Sequence, residues 1–279
     1  MLLKESAFDD YVSAIEANDI IEAKNILLRV IKDDARIYRY RRGTERDLSN
    51  LIDKKIRLCN VFNLNDPYDC TIMVDCGMKA EYPKEESEKA LEDYLRQQKK
   101  NMDMAAIRSK LFVASFSETN TSFPMWGYYA DEHKGICLGY DLKELIKRYC
   151  CFPVIYREEL TMYSEQDDTN ILLSALTKSS EWSHEREWRI VENCCEHEGE
   201  SGIILDNFPN PVEIYIGIRH KDTVYDLIDI KERDYKADEK YTSLLDITDY
   251  AEKESIDLYL PVINRKEYKL IPKALNLNL

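Results

Sequence analysis

The chain is poor in the residues that mark special architectures. Glycine and proline number 8 each in 279 residues, which excludes collagen-like and low-complexity linker proteins. No apolar run approaches the length of a membrane span, and the opening MLLKESAFDD is acidic and too short in apolar residues for a signal peptide. The expectation is a cytoplasmic protein with no membrane partner. The GxGxxG, GxxxxGK[ST] and GxSxG fingerprints are missing, which argues against Rossmann, P-loop and α/β-hydrolase enzymes. Basic charge is short as well: 39 Lys and Arg face 53 Asp and Glu, a formal net charge of -14. Broad attraction to nucleic acid or an anionic membrane is therefore not expected, although a local basic site can still bind phosphate. The four histidines are scattered and the eight cysteines contain no CxxC. They read as reduced thiols, mostly in the core, and no metal is expected.

Hydrophobic residues make up 44% and charged residues 33%, enough apolar surface for a sizeable core. Apolar spacing over residues 5–33 predicts two helices forming a hairpin, with a turn at EANDI. Strands are expected at RIYRYRR (36–42), IRLCNVF (56–62), LFVASFS (111–117), KGICLGYD (134–141), CFPVIYRE (151–158), REWRIV (186–191), GIILD (202–206) and VEIYIGI (212–218). Helices are expected at 45–54, over the charged stretch 84–110, from Asp141 through Arg148, over 169–182 and over 223–235, and two short strands in the tail. Regular βα alternation is missing, so the class is α+β. The expected domains are a helical segment at 1–35 and one α+β domain at 36–279.

Four stretches carry polar information. In YRYR, Arg39 and Arg41 share one strand face, either as a solvated edge or as a clamp for an anion. FNLNDPYD (62–69) reads as a turn that can line a pocket. In LFVASFSETNTSFPMWGYYADEHKG (111–135), Ser115 and Ser117 face one way, and Trp126, Tyr128 and Tyr129 follow. This is either an aromatic core cluster or a wall for a planar ring, with the serines fixing a sugar. In SHEREWRIV (183–191), a strand would put Glu185, Glu187 and Arg189 on one face and Trp188 and Ile190 on the other. Two same-face carboxylates repel unless a cation or ligand satisfies them.

Together these stretches resemble a bacterial family filed as a domain of unknown function. The motifs are YRYR (38–41), NDPYD (65–69), SFSETNTSFPMWGYYADEHKG (115–135), then Lys178, Trp182 and EREWR (185–189), within a span of about 37–220. One departure is FNLNDP, where the family pattern has Phe directly before Asn-Asp-Pro.

The order arginine, Ser-x-Ser, Glu-x-Glu is also similar to the arginine–serine–glutamate ADP-ribosyltransferases. That resemblance implies a split two-sheet β core gripping NAD as substrate, surrounded by helices. It implies that Arg39 or Arg41 holds the nicotinamide-side ribose and phosphate, that Ser115 and Ser117 support the cleft, and that Glu187 holds the ribose 2′-hydroxyl. Glu185 would orient the nucleophile, and Trp126 and Tyr129 would stack nicotinamide. A carboxylate beside the ribose favours the positive charge that builds there as the glycosidic bond breaks. The implied activity is an NAD-dependent ADP-ribosyltransferase or NAD glycohydrolase. It would act on an unidentified protein or nucleic-acid acceptor, in a bacterial toxin or phage-defence setting. The competing readings are a non-catalytic nucleotide sensor or interaction module, and a metal-dependent nuclease, for which no compact carboxylate motif is present.

Overall fold

In the computed structural model, which describes residues 2–71, 73–75, 86–160, 162–164, 170–220, 242–264 and 270–275 with isolated residues 79, 83 and 266, two helices open the chain. They are α1 (Glu5–Glu16) and α2 (Ile20–Val30). Asp19 starts α2 by accepting from Glu22 N, which satisfies one free amide of the first turn. Tyr11, Ala14 and Ile15 of α1 and Ala23, Ile26 and Leu27 of α2 are buried in the same core cluster as the sheet. Tyr11 also donates its hydroxyl to Pro153 O at 2.7 Å, so the hairpin is pinned to the sheet by a buried bond as well as by apolar contact.

Next come β1 (Arg36–Arg41), α3 (Glu45–Ile52), β2 (Ile56–Asn60), β3 (Met73–Asp75), α4 (Ser87–Arg108) and β4 (Leu111–Ser117). They are followed by α5 (Phe123–Tyr129), β5 (Ile136–Asp141), α6 (Leu142–Arg148), β6 (Cys151–Pro153), β7 (Ile155–Arg157), β8 (Met162–Ser164), α7 (Ile171–Leu176) and β9 (Thr177–Ser179). The last elements are β10 (Glu187–Asn193), β11 (Gly202–Leu205), β12 (Glu213–Ile216), α8 (Leu244–Glu254), β13 (Asp257–Ile263) and β14 (Leu270–Ala274). The class is α+β.

One mixed sheet of ten strands runs β11-β2-β4-β1-β5-β12-β13-β14, with β10 beside β4 and β6 beside β10. Among the described residues, β12 and β13 are the one parallel pair within it. The expected split into two sheets takes another form among the described residues. One edge of β4 is paired with β10 from Leu111 to Ser117. The other edge is shared: β2 pairs at Phe112 and Val113, and β1 pairs at Ser117. Residues 114–116 have no strand on that edge. The sheet is therefore forked, with β1 and β2 as its prongs.

The period of two sets the faces of the sheet. Ile37, Phe116, Leu138, Tyr140, Trp188 and Ile190 enter the main core. Tyr40, Trp126, Cys137 and Tyr215 form a smaller cluster. The helix expected over 169–182 stops at Leu176. Thr177–Ser179 extend as β9 against β7, and a 3₁₀ turn covers Ser180–Glu185. Asn170 caps the short helix by accepting from Leu173 N, and Thr177 Oγ1 donates to Leu173 O, closing its end. α8 was not anticipated; Ser243 and Asp246 form its capping box, the S-x-x-D signal that marks a helix start. The helix expected over 223–235 lies outside the described residues.

α5 returns to β5 through three successive residues with positive φ, Asp131, Glu132 and His133 (46, 56 and 72°). This tight reversal brings Gly135 onto the end of β1, where a Cβ would lie 2.1 Å from Arg41 O. Gly135→Ala is expected to lower stability by about 2–3 kcal/mol in urea unfolding, as overpacking does where backbone must move. An unchanged unfolding midpoint would contradict that close approach.

Candidate functional site

Sequence periodicity places Glu185, Glu187 and Arg189 on one strand face. The structure corrects this: β10 begins at Glu187, and Glu185 ends the preceding 3₁₀ turn. Arg186 between them is left-handed (φ 46°), which interrupts the strand alternation. The two carboxylates still converge, because Lys178 Nζ from β9 lies 2.5 Å from Glu185 Oε2 and 2.9 Å from Glu187 Oε2.

Arg189 lies beneath them and is wholly buried. Its Nε donates to Glu187 Oε1 at 2.8 Å and its Nη2 to Glu187 Oε2 at 3.0 Å. Nη1 and Nη2 reach Asp69 Oδ1 and Oδ2 at 2.8 and 2.6 Å, and Nη1 also donates to Ala175 O at 2.8 Å. Three carboxylates (Asp69, Glu185, Glu187) thus surround two cations (Lys178, Arg189), leaving one net negative charge. Burial pushes the Glu187 carboxyl up, but Arg189 and Lys178 outweigh it and hold it well below the ordinary carboxylate range. Burial alone would lower the Lys178 ammonium; Glu187 and Glu185 reverse that and raise it. Lys178 therefore serves as the cation between the two carboxylates.

Glu185 is held from three sides. Tyr129 OH donates to its Oε1 at 2.5 Å, Lys178 takes Oε2, and Ser117 Oγ donates to its backbone carbonyl at 2.6 Å. Tyr156 OH accepts from Glu187 N at 2.8 Å. Trp182 places its ring centroid 5.1 Å from Lys178 Nζ.

A cleft of about 630 Å³ opens at the fork of the sheet, in the range of small-molecule sites. One wall comes from β1 and β2 with Arg39, Arg41 and Arg57; the opposite side, across β4, presents Glu185 and Glu187. Ser115 lies between them, exposed, and its hydroxyl helps hold Glu187 ionised. Tyr129 and the largely exposed Tyr128 complete the rim. Six of the residues named from the sequence, Arg39, Arg41, Ser115, Tyr129, Glu185 and Glu187, line this one cleft.

The two arginines differ. Arg41 is matched to Asp47 of α3, with Nε and Nη2 at 2.9 and 2.8 Å from Oδ1. Arg39 spans the fork: Nη2 donates to Arg57 O at 2.8 Å, and its Cζ lies 5.5 Å from the Phe116 centroid. Its Nη1 is screened from solvent and has no hydrogen-bond partner among the described residues. Burial and then neighbouring Arg41 bring the Arg39 guanidinium down to about 10, so it stays cationic at neutral pH without a carboxylate of its own.

Two residues named from the sequence are not on the cleft. Ser117 is fully buried and acts as a strut under Glu185. Trp126 is buried, with Nε1 donating to Asn120 O at 2.8 Å and its ring 5.3 Å from Tyr40 in an edge-on contact. It fills the smaller core because its helix face turns inward. Sequence reasoning missed the ionic partners Lys178 and Asp69. Their only signals are their places in the K…W…ExEWR and NDPYD motifs. Among the described residues no group of three or more His, Cys, Asp or Glu is placed to hold a metal ion, and no helix is long and apolar enough to cross a membrane.

Arg189→Met would leave three buried carboxylates facing Lys178 alone. It is expected to cost about 3–5 kcal/mol in urea unfolding at neutral pH. The depressed Glu187 group contributes stability above the usual carboxylate range and loses it as pH falls through its folded value. In Lys178→Met the carboxylates lose a cation and the folded value of Glu187 moves up toward the unfolded one, so the variant should be less stable at neutral pH and lose less stability than wild type as pH falls. Superimposable pH–stability curves for the two proteins would show that Lys178 does not hold the pair ionised.

No curated protein and no solved structure matches the chain. Residues 125–190, a narrower span than the sequence motifs cover but one that contains Tyr129, Lys178, Glu185, Glu187 and Arg189, match the family described as Protein of unknown function (DUF2971).

Proposed function

We propose that the forked cleft binds NAD or a related nucleotide. On this reading the protein is an ADP-ribosyltransferase or NAD glycohydrolase of the arginine–serine–glutamate kind, acting on a protein or nucleic-acid acceptor in a toxin or phage-defence role. The observation that carries the reading is the Arg39 guanidinium. It is a cation with one screened, unpartnered nitrogen in a cleft whose far side is carboxylate. A buried polar group left unpaired is costly, and a ligand anion removes that cost. The opposite charges suit a ligand with phosphate at one end and a cationic ring at the other. NAD is such a molecule: a diphosphate joined through ribose to a pyridinium. Tyr128, Tyr129 and Trp182 offer aromatic surface around the carboxylate end.

On this reading the carboxylates do different work. A carboxylate has roughly four acceptor positions. Glu187 uses three on Arg189 and Lys178 and has Ser115 beside it. Glu185 uses two, on Tyr129 and Lys178. Glu185 is therefore the carboxylate with room for a ligand hydroxyl or an incoming nucleophile. Glu187 acts through its fixed charge, which favours the positive charge that builds on ribose. The saturation of Glu187 also favours the second reading, a nucleotide sensor whose carboxylates only shape the cleft.

Calorimetry and nicotinamide release test this together. Wild type should bind NAD, and Arg39→Met should weaken binding without lowering the melting temperature by much. Glu185→Gln should reduce nicotinamide release about a hundred- to a thousandfold, the usual worth of one preorganised group, with binding retained. Glu187→Gln would set an amide N–H against Arg189 Nε and should lose stability as well as rate. Binding without any release by wild type selects the sensor, and no binding at all overturns the proposal.

A further inference from the structure

Among the described residues, the long helix α4 is anchored by one face. Asp93 and Met104 are buried, Gln97 Nε2 donates to Val74 O at 2.8 Å, and Met104 packs with Val74 and Ile107. The opposite face carries Leu91, Leu95, Gln98, Met102 and Ala105, at alternating steps of four and three residues. This is the spacing of a coiled-coil seam. All five are exposed: Leu91 keeps 58% of its surface accessible, Leu95 57% and Met102 73%, with neighbouring Tyr94 at 50%. The helix is 22 residues long, and the seam from Leu91 to Ala105 covers about 22 Å of it. Contiguous exposed apolar surface of this kind marks a place where something docks.

We propose that α4 pairs with α4 of a second copy of this chain, antiparallel, through this seam. The choice of partner rests on charge. The first half of the helix carries Glu88, Glu92 and Asp93 against Lys89 and Arg96, and the second half carries Lys99, Lys100 and Arg108 against Asp103. The halves are net negative and net positive, so a helix of this sequence complements itself only when reversed. A two-fold axis between residues 96 and 97 sets Leu91 against the second copy's Met102 and Leu95 against its Gln98. Glu92 and Lys99 border the same side of the seam, so the axis brings each beside the other's counterpart, twice. Tyr94 and Asn101 meet on the other side. The apolar seam supplies the affinity, while the rim pairs and Gln98 select orientation and register. The arrangement is isologous, as two-fold dimers require.

Sedimentation equilibrium of the full chain tests this. Wild type should reach dimer at concentrations up to about 100 µM, and Leu95→Asp should weaken association at least about tenfold. Glu92→Lys and Lys99→Glu should each associate about tenfold more weakly than wild type, because each places like charges across the axis twice. Their equimolar mixture, and the double variant E92K/K99E, should associate more tightly again. These positions lie on the face away from the body, so circular dichroism should show unchanged folding. A monomeric wild type overturns the proposal. So does a dimer indifferent to Leu95→Asp, which would place the interface elsewhere. Dimerisation of both charge variants as strong as wild type would reject the antiparallel register.

Discussion

Arg189 is a cation with no access to water, and the architecture around the cleft follows from the need to satisfy it. A guanidinium has five N–H donors in a rigid plane. Here one goes to Glu187 Oε1, two to the Asp69 carboxylate, one to Glu187 Oε2 and one to Ala175 O. These acceptors come from the NDPYD turn, from α7 and from β10 itself, segments far apart in the chain. Burying such a charge gains little over an apolar core, and leaving it unmatched costs several kcal/mol. The network is therefore better understood as a device that fixes geometry than as a source of stability. It holds Glu187 in one rotamer and one ionisation state. Lys178 then carries that order across to Glu185.

The second arginine shows the opposite condition. Arg39 sits where the sheet forks, and one of its nitrogens replaces the ladder bond that β1 and β2 no longer exchange, by donating to Arg57 O. Its other terminal nitrogen has no hydrogen-bond partner among the described residues. The same strand, β4, lies between these two cations: fully paired on the β10 edge, open from 114 to 116 on the other. An open edge would ordinarily need a covering strand or water. Here the gap forms a cleft floored by β4, with a cation on one side and carboxylates on the other. The proposed anionic ligand group rests on that asymmetry between a saturated and an unsaturated guanidinium.

Much of this was legible in the chain. β1, β4, β5 and β10 follow from alternation and β-branched or aromatic content, and the YRYR, SFS and EWR strands do meet around one cleft. What escaped is what depends on non-local pairing or on a single dihedral. Glu185 and Glu187 lie two residues apart, which on a strand means one face. The left-handed Arg186 breaks that inference, and the convergence is restored only by Lys178. Ser115 and Ser117 do share a face, but one opens to the cleft and the other is buried beneath the 3₁₀ turn that crosses it. The stretch after β4 reads as a loop, with Trp126 and Tyr129 in one aromatic wall, but it folds as the helix α5. The helix turns Trp126 into the core and Tyr129 onto Glu185. Asp69 reads locally as part of a proline turn; its partner is 120 residues away in sequence.

Asp69 also ties the cleft to the outer surface. Its carboxylate takes both arms of Arg189, while its backbone carbonyl accepts from Arg108 Nη2 at 3.2 Å. Arg108 closes α4, and its Cζ lies 4.7 Å from the Phe62 centroid, so the helix end is clamped to the same loop that supplies Asp69. A rigid helix whose base bonds a residue of the ionic cluster shares mechanical ground with that cluster, because the NDPYD loop has to accommodate both. Asp69 is the one member of the ionic cluster supplied from outside the β9–β10 region, and the end of α4 touches it through Arg108. The contact is a single hydrogen bond and one ring stack, of order 1 kcal/mol each. That is enough to bias how the loop sits and too little to hold the network together, which remains the work of Arg189.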